Sequence, residues 1–156
     1  SLKSELVNHK IVLLSPISRK TSKAISAVSP LAGIVPTKVS DYVTTQYLFV
    51  PRHNKALFRE SLQITHACSN DCPPSKKMLS QVIKFTTNYA VPDFPLEGKK
   101  VLIIAGEKDR LVKKIDTKKL AKGLKAQLVF LPESGHLHNY EKPHETAAVI
   151  IDFLKR

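Results

Sequence analysis

Three short, uninterrupted apolar runs constrain the fold of this 156-residue chain more than any other feature. They lie at residues 11–14, 101–105 and 127–131, and proline or glycine follows each run within two residues. A short run rich in Leu, Ile and Val, without alternating polar residues, is typical of a strand buried on both faces of a parallel sheet. We therefore predict three strands, at 10–14, 100–105 and 127–131, that are parallel neighbours in one sheet.

Helical stretches alternate with these strands. Residues 116–125 form a basic, amphipathic stretch between the second and third runs, and residues 143–156 form an apolar-rich stretch after the third. Residues 2–8, before the first run, have the pattern of the last turns of a helix. The order strand, helix, strand, helix predicts an α/β fold, in which crossover helices cover a parallel sheet.

The interval between the first two strands has a different character, because most of the chain's ten prolines fall in it. So long a stretch without secondary structure would be unusual in a compact domain. We therefore predict an all-helical insertion over 17–94, with 1–16 and 95–156 forming the sheet-bearing part. Prolines divide the insertion into helical candidates at 37–49, 54–67 and 75–89.

The chain has a formal net charge of +12, which raises the question of an anionic partner. Its basic residues are spread along the sequence, and the densest group of lysines falls within 113–125. Aromatic residues make up 6% of the chain, and none is interleaved with those lysines as a base-stacking surface would require. We therefore interpret the lysines as a solvated helix face and do not expect nucleic-acid binding.

Cys68 and Cys72 are the two cysteines, and their C-x-x-x-C spacing lacks the second pair of ligands that a zinc site needs. We expect no metal and no cofactor, and either a local disulfide or two thiols. No apolar run approaches the roughly 20 residues of a transmembrane helix, so we expect no membrane span. Residues 1–5 contain no signal segment, which favours the cytoplasm, but the compartment stays open because the protein's own N-terminus need not be Ser1.

Two polar residues follow neighbouring predicted strands. Asp109 comes after the strand 100–105, and His136 comes after the strand 127–131 in a Gly-His turn. Ligand sites of open α/β sheets lie at the carboxyl ends of the strands, so both side chains should face the same region. A carboxylate there can accept the imidazole Nδ1–H and fix the tautomer, which lets the ring act as a general base. We predict a contact of about 2.6–3.2 Å between Asp109 and His136.

This acid and histidine, in this order and setting, resemble those of the α/β-hydrolase superfamily. The architecture is similar over the whole chain, and the motif over 100–156 includes the G-x-x-D turn, the G-H turn and Glu141-Lys142-Pro143 before a last helix. The resemblance implies the C-terminal part of an α/β-hydrolase core, with Asp109 and His136 as the acid and histidine of a catalytic triad. It also implies that the insertion 17–94 is the cap or lid, and that residues 2–8 end the helix after the nucleophile elbow.

The nucleophile of such a triad has no counterpart in the sequence. The elbow motif is G-x-S-x-G, and no two of the five glycines are four positions apart. The superfamily's order is nucleophile, acid, histidine, so the resemblance places the nucleophile and the oxyanion-hole donors upstream of Ser1. We therefore expect a fragment, or one chain of a split protein, that pairs with an N-terminal half in cis or trans and is inactive without it.

Structural interpretations compete with these roles. Asp109 could instead cap the turn that follows it, and the Gly-His turn could lie on the surface. We expect His138 at the pocket rim or the surface. Ser134 lacks elbow geometry, and we expect Ser15 to end a strand, although it could also line the pocket.

The leading functional hypothesis is a serine-type hydrolase that, with its missing half, cleaves an ester or similar acyl bond. The fold hosts esterases, lipases, thioesterases, peptidases and C–C bond hydrolases, and an aspartate nucleophile would instead support dehalogenation or epoxide opening. The moderately apolar insertion favours a small, hydrophobic acyl substrate. The alternative is a non-catalytic relative that binds a ligand or a partner protein through the same pocket.

Overall fold

The computed structural model describes residues 10–17, 36–50, 54–71 and 99–156. The helices predicted at 2–8 and 75–89 lie outside these ranges. Within them, strands and helices alternate in the predicted order, with two helices between the first two strands. The elements are β1 (Ile11–Leu14), α1 (Thr37–Leu48), α2 (Lys55–Asp71), β2 (Val101–Gly106), α3 (Lys114–Gly123), β3 (Gln127–Leu131), α4 (His138–Glu141) and α5 (Pro143–Lys155).

The prediction of three parallel, neighbouring strands is confirmed. The described sheet has the order β1-β2-β3, and Ile104 of β2 pairs with Leu14 on one side and Val129 on the other. Strand β2 is buried along its whole length because it has a neighbour on each side. The expectation of burial on both faces is wrong for β1 and β3, which form the edges of the described sheet. Leu14, at the end of β1, is 42% exposed.

Helix α5 covers one face of this sheet. Its inward stripe is Thr146, Val149, Ile150 and Phe153, a spacing that keeps the four side chains on one side of a helix. The apolar members of that stripe pack against a buried cluster of Leu102, Ile104 and Leu131. Fully burying a side chain such as Phe or Leu stabilises a fold by about 1.5–3 kcal/mol, so this contact anchors the end of the chain to the sheet.

Helices α1 and α2 confirm the first two helices predicted between β1 and β2, and they pack against each other. The Tyr42 and Phe58 rings meet edge to face, with centroids 5.8 Å apart. The buried Asp41 carboxylate lies 2.6 Å from His66 Nδ1 and accepts a 2.9 Å hydrogen bond from Ser69. These contacts join the two helices; the division of the chain into a hydrolase core and a separate cap over 17–94 stays a prediction.

Candidate active site

Asp109 lies in the turn that follows β2, and its carboxylate is held by the turn itself. Oδ1 accepts hydrogen bonds from the backbone N–H groups of Leu111 (2.8 Å) and Val112 (3.0 Å). The Asp109 N–H donates to the Gly106 carbonyl at 3.3 Å. The side chain is 4% exposed. The turn-capping interpretation of Asp109 is therefore correct, and it leaves the second carboxylate oxygen for another partner.

That partner is His136. Its Nδ1 lies 2.9 Å from Asp109 Oδ2, within the predicted range, and 15% of the His136 side chain is exposed. Because an ionised carboxylate only accepts hydrogen bonds, Nδ1 carries the proton of the neutral ring. Nε2 then holds the lone pair, which is the arrangement that a general base toward a hydroxyl nucleophile requires.

The turns that carry the two residues are bonded directly to each other. The Glu107 N–H donates to the Leu131 carbonyl and the Lys108 N–H donates to the Ser134 carbonyl, both at 2.9 Å. Ser134 is fully buried, and its hydroxyl donates to the Leu131 carbonyl at 3.0 Å, which closes the turn before His136. These backbone bonds fix the distance between the acid turn and the histidine turn.

Two glycines permit this close approach. A Cβ atom built on Gly106 would lie 2.0 Å from the Gly135 carbonyl oxygen. A Cβ atom on Gly135 would lie 2.6 Å from the Leu48 carbonyl oxygen, at the end of α1. The spacing of the glycines in the sequence gives no sign of this packing role.

His138 was expected at the pocket rim or the surface, and this expectation is wrong. The ring has no exposed surface, and its Nε2 lies 3.2 Å from the Ile104 carbonyl, which can only accept a hydrogen bond. Nε2 is therefore protonated, and Nδ1 of the neutral ring lies 3.3 Å from the Thr146 hydroxyl. Burial lowers the pKa of His138, which favours the neutral ring. His138 thus links β2 to α5 beneath the site.

Glu141 also supports the site, and its one signal in the sequence is its place in the Glu-Lys-Pro motif. Oε1 accepts a 2.7 Å hydrogen bond from the Val50 N–H. Oε2 accepts a hydrogen bond from the N–H of Gly135, the residue before His136. One carboxylate therefore bonds the histidine turn and the segment after α1.

Ser15 ends β1, as expected. It has a left-handed backbone (φ 41°), and its N–H donates to the Ile104 carbonyl at 2.8 Å. Among the described residues, its buried hydroxyl has no hydrogen-bond partner. A role of Ser15 in lining a pocket stays a prediction.

The described residues contain neither a cluster of metal-ligating side chains nor a membrane-spanning helix. Within 10–17, 36–50, 54–71 and 99–156, no three His, Cys, Asp or Glu side chains lie together as the ligands of a metal ion would. Cys68 is an exposed, free thiol, and Cys72 lies outside those ranges. None of the described helices is both long enough and apolar enough to cross a membrane.

The whole chain is similar in fold to known proteins but not in sequence. Neither a protein-family model nor a curated protein matches the sequence. Several solved structures have a similar fold. A 2-hydroxy-6-oxo-6-phenylhexa-2,4-dienoate hydrolase from a Rhodococcus species superposes with a TM-score of 0.72 at 17% identity, over 99% of this chain and 60% of that chain.

Two further solved structures agree with the first. An α/β-hydrolase enzyme from a deep-sea metagenome library has a TM-score of 0.67 at 21% identity, over 94% of this chain and 56% of that chain. A thermophilic esterase from Thermogutta terrifontis has a TM-score of 0.68 at 14% identity, over 94% of this chain and 55% of that chain. The chain therefore spans little more than half the length of these enzymes. At such low identity the likeness shows the fold alone: the chain has the α/β-hydrolase fold, of which it forms the C-terminal part.

Proposed function

We propose that Asp109 and His136 are the acid and the general base of a serine-type hydrolase that cleaves an ester or related acyl bond. The observation that carries the proposal is the 2.9 Å contact between His136 Nδ1 and Asp109 Oδ2. It supports a ring that is oriented through Nδ1 and basic at Nε2. As Nε2 takes a proton from the nucleophile, the buried carboxylate stabilises the imidazolium that forms.

The environment of the carboxylate is consistent with this role. Asp109 Oδ1 already accepts two backbone hydrogen bonds, so only Oδ2 is directed at the imidazole. A buried carboxylate is costly unless it is hydrogen-bonded or paired, and here both oxygens have partners. The carboxylate must be held rigidly to orient the histidine, because a displacement of about 1 Å of a catalytic group can lower the rate about a hundredfold.

The nucleophile and the oxyanion hole fall outside the 156 residues in this proposal. The sequence has no G-x-S-x-G motif, and the solved structures of similar fold have further chain that this one does not match. In this proposal, the 156-residue chain without the nucleophile has no triad turnover. The proposed substrate is a small, hydrophobic acyl compound, which the moderately apolar insertion 17–94 favours. Two of the similar structures are of a dienoate hydrolase and an esterase, which fits hydrolysis as the reaction class.

The test uses the chain together with the residues encoded before Ser1. Turnover of p-nitrophenyl butyrate and covalent labelling by a fluorophosphonate are measured for the wild type and for His136→Ala and Asp109→Asn. We expect His136→Ala to reduce turnover by about a millionfold, because it removes the general base. We expect Asp109→Asn to reduce it by about ten-thousandfold, because an amide favours the wrong imidazole tautomer.

Matched controls separate a chemical effect from a general one. His144→Ala and Asp152→Asn change exposed residues of α5, and both should keep wild-type turnover. If His136→Ala and Asp109→Asn behave like these controls in a protein that hydrolyses the ester, the triad assignment is wrong. A folded protein that binds acyl compounds without hydrolysis or labelling would favour the non-catalytic alternative.

A further inference from the structure

The carboxylate of Glu141 is bonded to two segments that are far apart in sequence. Oε1 accepts a hydrogen bond from the Val50 N–H at 2.7 Å, across 91 positions, and Oε2 accepts one from the Gly135 N–H. Val50 is 6% exposed and Gly135 is also buried. Hydrogen bonds to an ionised acceptor are about twice as strong as neutral ones, so Glu141 is a strong link between these segments.

The same two segments also contact each other directly. The Leu137 N–H donates to the Leu48 carbonyl at 3.2 Å. The Phe49 and Tyr140 rings meet edge to face, with centroids 6.2 Å apart. Both chain neighbours of His136 are therefore anchored: Gly135 bonds to Glu141, and Leu137 bonds to the residue that ends α1.

The chemistry of the contact requires a carboxylate. Two N–H donors approach one side chain, and a carboxylate offers an acceptor oxygen to each. A glutamine of the same size has one oxygen and one NH2 group, and the NH2 group would face an N–H donor. Such a substitution keeps the volume of the side chain but leaves one buried donor without an acceptor, which is costly.

We propose that Glu141 is a positioning residue for His136, which it holds by fixing the turn 134–137 against residues 48–50. With that turn fixed, the imidazole keeps its Nδ1 on Asp109. The catalytic consequence rests on the proposed function, whereas the effect on the geometry of the pair does not. Glu141 touches neither reacting atom in this account and acts through the backbone of Gly135.

The first experiment measures the Nδ1 proton of His136 by NMR in the 156-residue protein. We compare the wild type with Glu141→Gln and with Glu145→Gln, a matched change at an exposed glutamate of α5. A wild-type ring bonded to Asp109 should show a slowly exchanging Nδ1 proton. Glu141→Gln should speed that exchange by about tenfold or more, since hydrogen bonds to charged groups hold such a turn closed. Glu145→Gln should leave the exchange unchanged.

A second measurement uses only the wild-type protein and therefore does not depend on the folding of a variant. The amide signals of Gly135 and Val50 should respond to the titration of one and the same carboxyl group. If they follow different groups, or show no carboxyl titration, Glu141 does not bridge the two segments and the proposal is overturned.

The outcomes separate this proposal from the proposed function. If the Nδ1 proton exchanges slowly in the wild type and equally slowly in Glu141→Gln, the positioning role is overturned and the triad assignment stays intact. If Glu141→Gln speeds the exchange of the Nδ1 proton but the full-length protein hydrolyses no ester, the positioning role is supported and the hydrolase function is rejected. In an active full-length hydrolase, Glu141→Gln should lower kcat about tenfold and leave KM unchanged, because the proposed role of Glu141 is to position the histidine and not to bind the substrate. A wild-type ring without a slow Nδ1 proton overturns both.

Discussion

The change Gly106→Ala tests whether the close approach of the two site turns holds the site together. An alanine Cβ would lie 2.0 Å from the Gly135 carbonyl oxygen and 2.5 Å from the Ser134 carbonyl oxygen. Contacts under 3.0 Å essentially never occur for real Cβ atoms, and both obstacles are backbone, so no side-chain rotation relieves the clash. The histidine turn must therefore retreat from β2 by about 1 Å, the difference between 2.0 and 3.0 Å.

The expected loss of stability follows from that displacement. Overpacking a well-packed region costs about 1–3 kcal/mol, and an obstacle made of backbone puts Gly106→Ala at the upper end, near 3 kcal/mol. For a domain of about 150 residues, this lowers the midpoint of thermal unfolding by about 6–12 °C. A shift of about 1 Å would also lengthen the 2.9 Å contact between His136 and Asp109 beyond hydrogen-bonding range.

Gly123→Ala is the matched control, because a Cβ there would have no neighbour within 4 Å. Gly123 ends helix α3, and alanine is the better helix former by up to about 1 kcal/mol, so this variant should keep or raise the midpoint. Circular dichroism measures both unfolding midpoints, and NMR of the His136 ring reports the contact. Equal midpoints for the two alanine variants would refute the argument from close approach.

Two further predictions concern the support beneath the site. Phe153→Ala should lower the free energy of unfolding by about 3–5 kcal/mol, because Phe153 is only 4% exposed. Leu154 is 51% exposed, so Leu154→Ala should change that free energy by well under half as much. Urea unfolding measures both. Because burial lowers the pKa of His138, the unfolded chain binds more protons than the folded one below pH about 6.5. The free energy of unfolding should therefore fall as the pH drops below that value, by at most about 1.4 kcal/mol per pH unit from this group. His138→Gln should remove that part of the slope, and an unchanged slope would contradict the assignment.

The sheet and the pair at its edge could be predicted because local sequence determines them. The apolar runs predict buried strands. The turns that follow two neighbouring parallel strands then place Asp109 and His136 at the same edge of the sheet. Helix ends were less exact. The basic helical stretch was predicted at 116–125, with the lysines from 113 on the same helix, and helix α3 spans Lys114–Gly123. Asp116 lies in its first turn, where the helix dipole favours an acidic residue.

The supporting contacts could not be predicted because they join residues distant in sequence. His138 is buried because the Ile104 carbonyl, 34 positions away, accepts its Nε2–H. The role of Glu141 depends on Val50, which is 91 positions away. A local pattern cannot distinguish such a glutamate from a solvated one, since its two acceptors are satisfied only after α1 packs near the histidine turn.

The end of helix α1 contacts both turns of the site. The Arg110 guanidinium, next to Asp109, donates to the Gln46 carbonyl at 3.2 Å and to its side-chain oxygen at 3.3 Å. On the other side, Leu137, next to His136, donates to the Leu48 carbonyl. One helix end thus contacts the neighbours of both members of the pair. We therefore expect a displacement of that end to disturb the turns of the acid and of the histidine together.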